Sequence, residues 1–181
     1  NDNDMESSTI YASGMFVRSL NETPSNFRSQ KSLPEFLKQH KSMGICDIDT
    51  RYLTKMIRDS GPKMMIASTE VSDPEKLKAM LASSPRIEEV NYIEKVSTPK
   101  SYVHDHGVWN AETQSYNATP KRLGKKILAV DLGIKHNILN ELYEVGLDVE
   151  VVPHNFSGDD AIARYKKGEI HGVFLSNGPG D

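Results

Sequence analysis

Residues 127–146 read ILAVDLGIKHNILNELYEVG, and this stretch decides the fold. Residues 127–130 are a continuous apolar run, the pattern of a strand covered on both faces in a parallel sheet. Asp131-Leu132-Gly133 turns the chain. Ile138, Leu139, Leu142 and Val145 follow at helical spacing, and Gly146 stops that helix. Working outward, residues 149–152 form a second apolar strand, residues 159–167 a helix stopped by Gly168, and residues 173–175 a third strand. The order βαβαβ implies a parallel sheet with right-handed crossovers, an α/β architecture.

The chain has 181 residues, 37% hydrophobic and 26% charged, a balance that supports a packed globular fold. Mean hydropathy is −0.53. With no apolar run near about 18 residues, no membrane span is expected. A net charge of −3 gives no field for nucleic acid or an anionic membrane, so neither is expected as a partner. Cys46 is the one cysteine, which excludes a disulfide framework and a cysteine zinc site, and no metal site is expected. The polar, acidic residues 1–8 do not resemble a signal peptide, so a cytoplasmic protein is the expectation. The start at Asn1 and the stop at Asp181, inside a glycine-rich loop, predict a fragment of something longer.

The first half mixes α and β signals. Residues 15–20 read as a strand. Ser32 and Glu35 make a capping box with Pro34 in the first turn, ahead of Leu33, Phe36 and Leu37. Asp49 is the expected cap of a second helix, with Leu53, Met56 and Ile57 on its apolar face and Arg51, Lys55 and Arg58 opposite. Residues 64–68 read as a strand, Ser72 with Pro74 and Glu75 as the start of a third helix, and residues 92–96 as another strand. Residues 97–126, with Pro99, Gly107, Pro120 and Gly124, read as a surface crossing or linker. The expected domains are 1–120 and 121–181.

Each candidate site has a plainer alternative. Residues 177–181, Asn-Gly-Pro-Gly-Asp, follow a buried strand, where open α/β sheets hold ligands. Such a loop can aim backbone N–H groups at an oxyanion or a carboxylate, or it can be only a turn. Asp131-Leu132-Gly133 matches a phosphate-loop triplet, or is a turn into the helix. If the strand order is 2-1-3, it borders the same crevice as Gly178. His104 and His106 are too few for zinc without further ligands and are expected on a solvated loop. Cys46 is expected to be a buried structural thiol whose pKa the adjacent Asp47 raises. The basic face of Arg51, Lys55 and Arg58 is either solvated or a docking surface.

Two segments carry more than generic physics. Residues 45–61, ICDIDTRYLTKMIRDSG, resemble the Ile-Asp-Thr-Arg-x-Leu-Thr-x-x-(Leu/Ile)-Arg-x-x-Gly signature of the carbamoyl-phosphate synthase small-subunit family. VDLGIKHNIL and FLSNGPGD resemble the start of that family's class I glutamine amidotransferase domain, with its flavodoxin-like sheet, and residues 1–8, 14–20 and 25–28 fit as well. The resemblance implies a protein that hydrolyses L-glutamine and passes ammonia to a large subunit, which makes carbamoyl phosphate from bicarbonate for arginine and pyrimidine synthesis. It implies ATP and Mg on that large subunit and no cofactor in this one. Gly178 and Gly180 match glycines that line the glutamine site and help stabilise the oxyanion. The family's Cys-His-Glu triad has no match among the 181 residues, so no catalytic residue is assigned, and Cys46 is not a substitute. The fragment alone is expected to be inactive. A non-catalytic subunit-docking module is the alternative.

Overall fold

The computed structural model describes residues 2–7, 9–118 and 120–179, with Asp2 described by its backbone. The chain forms two compact units. Among the described residues, one holds residues 9–90; the other joins residues 2–7 to those from 91 to 179.

In the first unit, strand β1 (Gly14–Phe16) pairs in parallel with β2 (Met43–Ile45), and helix α1 (Leu33–Gln39) connects them. The capping box at α1 forms as read: Ser32 Oγ accepts from the Glu35 N–H, and the Glu35 carboxylate accepts from the Ser32 N–H. Helix α2 (Thr50–Ser60) starts at Asp49, whose carboxylate accepts the Tyr52 N–H at 2.9 Å. Helix α3 (Pro74–Ala82) is capped by Asp73, one residue after the expected Ser72. Residues 64–68 form no strand, because no neighbouring strand supplies a ladder for them. None of α1, α2 and α3 buries a residue fully.

The second unit holds the core. Residues 92–96 give a short helix, α4 (Ile93–Val96), instead of the expected strand. Asn91 Oδ1 takes the Ile93 N–H and starts the turn, which local side-chain bonding favours over an unpaired strand. The expected linker contains β3 (Tyr102–His104) and a small hairpin, β4 (Trp109–Asn110) with β5 (Ser115–Tyr116). The regular part follows the reading closely: β6 (Lys125–Asp131), α5 (His136–Glu144), β7 (Leu147–Pro153), α6 (Gly158–Lys166) and β8 (Gly172–Leu175). The sheet order is β3-β7-β6-β8. β6, β7 and β8 run parallel in the order 2-1-3, and β3 adds an antiparallel edge on β7.

Alternation along the strands sends side chains to two faces. Leu128, Val130 and Val152 pack with Ala161 of α6 and Ile170. Ala129, Val149 and Val151 pack with Ile134 and Leu139 of α5. α5 and α6 therefore cover opposite faces, as a doubly wound sheet requires. β8 is an edge strand among the described residues, and its Leu175 is 68% exposed. No helix among the described residues is long and apolar enough to cross a membrane.

Candidate functional site

The 2-1-3 order sets the C-terminal ends of β6 and β8 side by side, the place where open α/β sheets form a crevice. Each end carries a buried polar side chain. Asp131, 7% exposed, closes β6; Ser176, 6% exposed, follows β8.

Asp131 works as a clamp on main-chain groups. Its Oδ1 accepts the N–H groups of Gly133 and Ile134, both at 2.9 Å, and its Oδ2 accepts the Thr98 N–H at 2.7 Å. Both carboxylate oxygens are thus committed to shaping the turn and tying in residue 98. This supports the turn reading of Asp131-Leu132-Gly133 over a phosphate loop. Ser176 Oγ accepts the Leu132 N–H at 2.9 Å and donates to the Asn177 carbonyl at 2.8 Å. The two loops are therefore stitched together through side chains as well as adjacent in the sheet.

Backbone approach explains two glycines here. Gly133 has φ of 112°, and a Cβ on it would lie 3.0 Å from Val96 Cγ2 and 3.4 Å from Pro179 Cδ. At Gly178 a Cβ would lie 2.5 Å from the Leu132 carbonyl oxygen, closer than real Cβ contacts come. Only glycine lets the 176–179 loop sit this close to the β6 loop. Gly180 lies outside the described residues.

Sequence reasoning missed Ser176, Thr98, Ser97 and His154. A polar residue at the end of the apolar 173–175 run was the available signal for Ser176. Beyond β7, the His154 N–H donates to Ser97 Oγ at 2.9 Å, and its Nδ1 is buried without a hydrogen bond. No local pattern marks these pairs, because Ser97 and His154 are 57 positions apart.

The remaining candidates lie elsewhere, and two depart from expectation. Cys46 is exposed, not buried, because it follows the edge of β2 at the start of an open loop. Its Sγ donates to the Asp47 carboxylate at 3.4 Å, and that bond holds the thiol pKa up. His104 is buried at 6% exposure, not solvated, because β3 carries it into the sheet against Tyr143. Burial, followed by the neighbouring His106, lowers its pKa. The rings of His104 and His106 lie tilted at 46° to each other with centroids 4.4 Å apart. No group of three metal-ligating side chains forms among the described residues. Arg51, Lys55 and Arg58 all stay exposed on α2.

Comparison with known proteins agrees with the architecture. Residues 1–67 match the carbamoyl-phosphate synthase small chain, CPSase domain, and residues 128–181 match the class I glutamine amidotransferase family. Over its full length the chain is 52% identical to the carbamoyl phosphate synthase small chain of Campylobacter jejuni and 48% identical to that of Helicobacter hepaticus, spanning 48% of each. It is 37% identical over its full length to the Synechococcus small chain, spanning 45% of that protein. The chain thus spans about half the length of the curated relatives it matches. With both matches in order on one chain, and relatives aligned with it from end to end, the chain belongs to the carbamoyl phosphate synthase small chain family, joining sequence of its CPSase domain to part of its class I glutamine amidotransferase domain.

Proposed function

We propose that these residues belong to a glutamine-hydrolysing small subunit, in which the 176–180 loop forms one wall of the glutamine site. The observation that carries this is the packing of Gly178 on the β6 loop at the C-terminal crevice of the sheet. A cysteine of the Cys-His-Glu type attacks the glutamine amide carbon. The carbonyl electrons move onto oxygen, and backbone N–H groups of the loop at Gly178 and Gly180 stabilise that oxyanion. One such donor is worth about 3–4 kcal/mol in other enzymes. The triad lies outside the 181 residues, and Cys46 is no part of it, since its thiol is held protonated beside Asp47. The chain alone is therefore inactive. Ammonia leaves for a large subunit that holds ATP and Mg and makes carbamoyl phosphate for arginine and pyrimidine synthesis; this subunit needs no cofactor. We assign the protein to the cytoplasm and keep the division into 1–120 and 121–181 for its two domains.

The test uses the full-length protein with its large subunit. Gly178→Ala should cut kcat/KM for glutamine by about tenfold or more, since it displaces an oxyanion donor. Cys46→Ser should leave glutamine hydrolysis intact. Normal hydrolysis by the Gly178 variant, or its loss in the Cys46 variant, overturns the proposal.

A docking role for the first half is supported by the exposed Arg51, Lys55 and Arg58 face of α2, which suits an acidic patch on the large subunit. Reversing these three charges to Glu should weaken assembly, most at low salt. Unchanged assembly rejects this role.

A further inference from the structure

Helix α5 lacks a cap of its own. Its N-cap residue is Lys135, which offers no side-chain acceptor, so the first N–H groups of the helix need partners from elsewhere. Glu6 supplies them. Its carbonyl oxygen accepts the His136 N–H at 3.2 Å, and its carboxylate accepts the Asn137 N–H at 3.0 Å across 131 positions of sequence. The negative charge also sits at the positive end of the helix. The segment is seated at a second point, where the Tyr116 hydroxyl donates to the Asn3 carbonyl at 2.8 Å. Residues 2–7 belong by packing to the unit that holds the sheet, although the CPSase-domain match covers them.

We infer that Glu6 is a positioning residue for the glutamine-site wall: it caps α5 and thereby holds the 131–134 loop on which Gly178 rests. The chain of contacts is short. His136 follows Ile134 by two residues; Ile134 is buried in the α5-face core. Its N–H and that of Gly133 are both held by Asp131. A Cβ on Gly133 would stand 3.8 Å from Gly178 Cα, so the two loops are in van der Waals range. Fraying of the first turn of α5 loosens the 134–137 junction and depopulates the arrangement that receives substrate. Apparent affinity then falls by the fraction of competent molecules, while the rate from the bound complex is unchanged. The inference rests on the reading of Gly178 as substrate wall.

The test compares Glu6→Ala, Glu6→Gln and Gly178→Ala in the full-length protein with its large subunit. Losing a side-chain helix cap shifts a local equilibrium by about fivefold. Glu6→Ala should raise KM for glutamine, by up to about that factor, with kcat held within about twofold, and should speed amide exchange at His136 and Asn137. Glu6→Gln, which keeps a carbonyl acceptor, should hold both readouts close to the parent. Faster exchange with an unchanged KM makes the cap purely structural and overturns the inference, as does no change in either readout. If Gly178→Ala impairs glutamine kinetics while Glu6→Ala does not, the inference alone fails. If neither affects them, the reading of the loop fails as well.

Discussion

Replacing Asp131 should be among the most damaging single changes in the second unit. Its carboxylate accepts three backbone N–H groups, from Thr98, Gly133 and Ile134. The Ile134 bond is buried and the other two are partly buried. An unpaired buried N–H costs about 1–3 kcal/mol, with the partly wet pair at the lower end, so Asp131→Ala should lose about 3–5 kcal/mol. Asp131→Asn keeps one acceptor for Gly133 and Ile134 but turns an amide NH₂ toward Thr98, and should lose about 1.5–3 kcal/mol. In urea, with a slope of about 2 kcal/mol/M, the midpoint should fall by about 1.5–2.5 M for Ala and about 1 M for Asn. Equilibrium unfolding followed by circular dichroism measures both. A midpoint shift below about 0.5 M for Asp131→Ala would refute the clamp, and Asn costing as much as Ala would refute the division of labour between the two oxygens.

His104 should make the fold acid-sensitive. Its folded pKa lies below the ordinary 6.5, so the unfolded chain binds the extra proton and stability falls as pH drops below 6.5. His104→Leu should flatten that decline in urea midpoints measured between pH 8 and pH 5.5, and an unchanged slope counts against it. Arg164 grips the Glu150 carboxylate with two bonds, at 3.0 and 2.7 Å, joining α6 to β7, so Arg164→Ala should cost about 1–2 kcal/mol. A loss under about 0.3 kcal/mol would place this pair with ordinary surface ion pairs. Cys46 should alkylate in the folded chain, because it is exposed, but more slowly than free cysteine at pH 7.5, because Asp47 holds its proton. Asp47→Asn should accelerate the reaction; equal rates would dismiss the Asp47 effect.

The parts of this molecule legible in its sequence are those set by local periodicity. The β6-α5-β7-α6-β8 run stood out because its strands are continuous apolar blocks and its helices carry their own stripes and stops. The caps at Ser32 and Asp49 were legible for the same reason, since donor and acceptor lie within three residues. The failures share the opposite cause. β3 is three residues long in a proline- and glycine-rich stretch, and its ladder to β7 bridges residues 102 and 151. His104 was misjudged with it, because burial came from that distant pairing. Residues 92–96 are short enough for a single bond from the Ile93 N–H to the Asn91 side chain to decide the outcome. In the site, the glycines announced themselves. Ser176, Thr98 and the remote cap from Glu6 did not, since each acts across more than thirty positions.

The most direct measurement is a structure of the full-length protein with a glutamine analogue trapped on its nucleophile. A backbone N–H of the 176–180 loop, from Gly178 or Gly180, should donate to the analogue at about 3 Å. A trapped analogue that leaves every N–H of this loop without contact would contradict it.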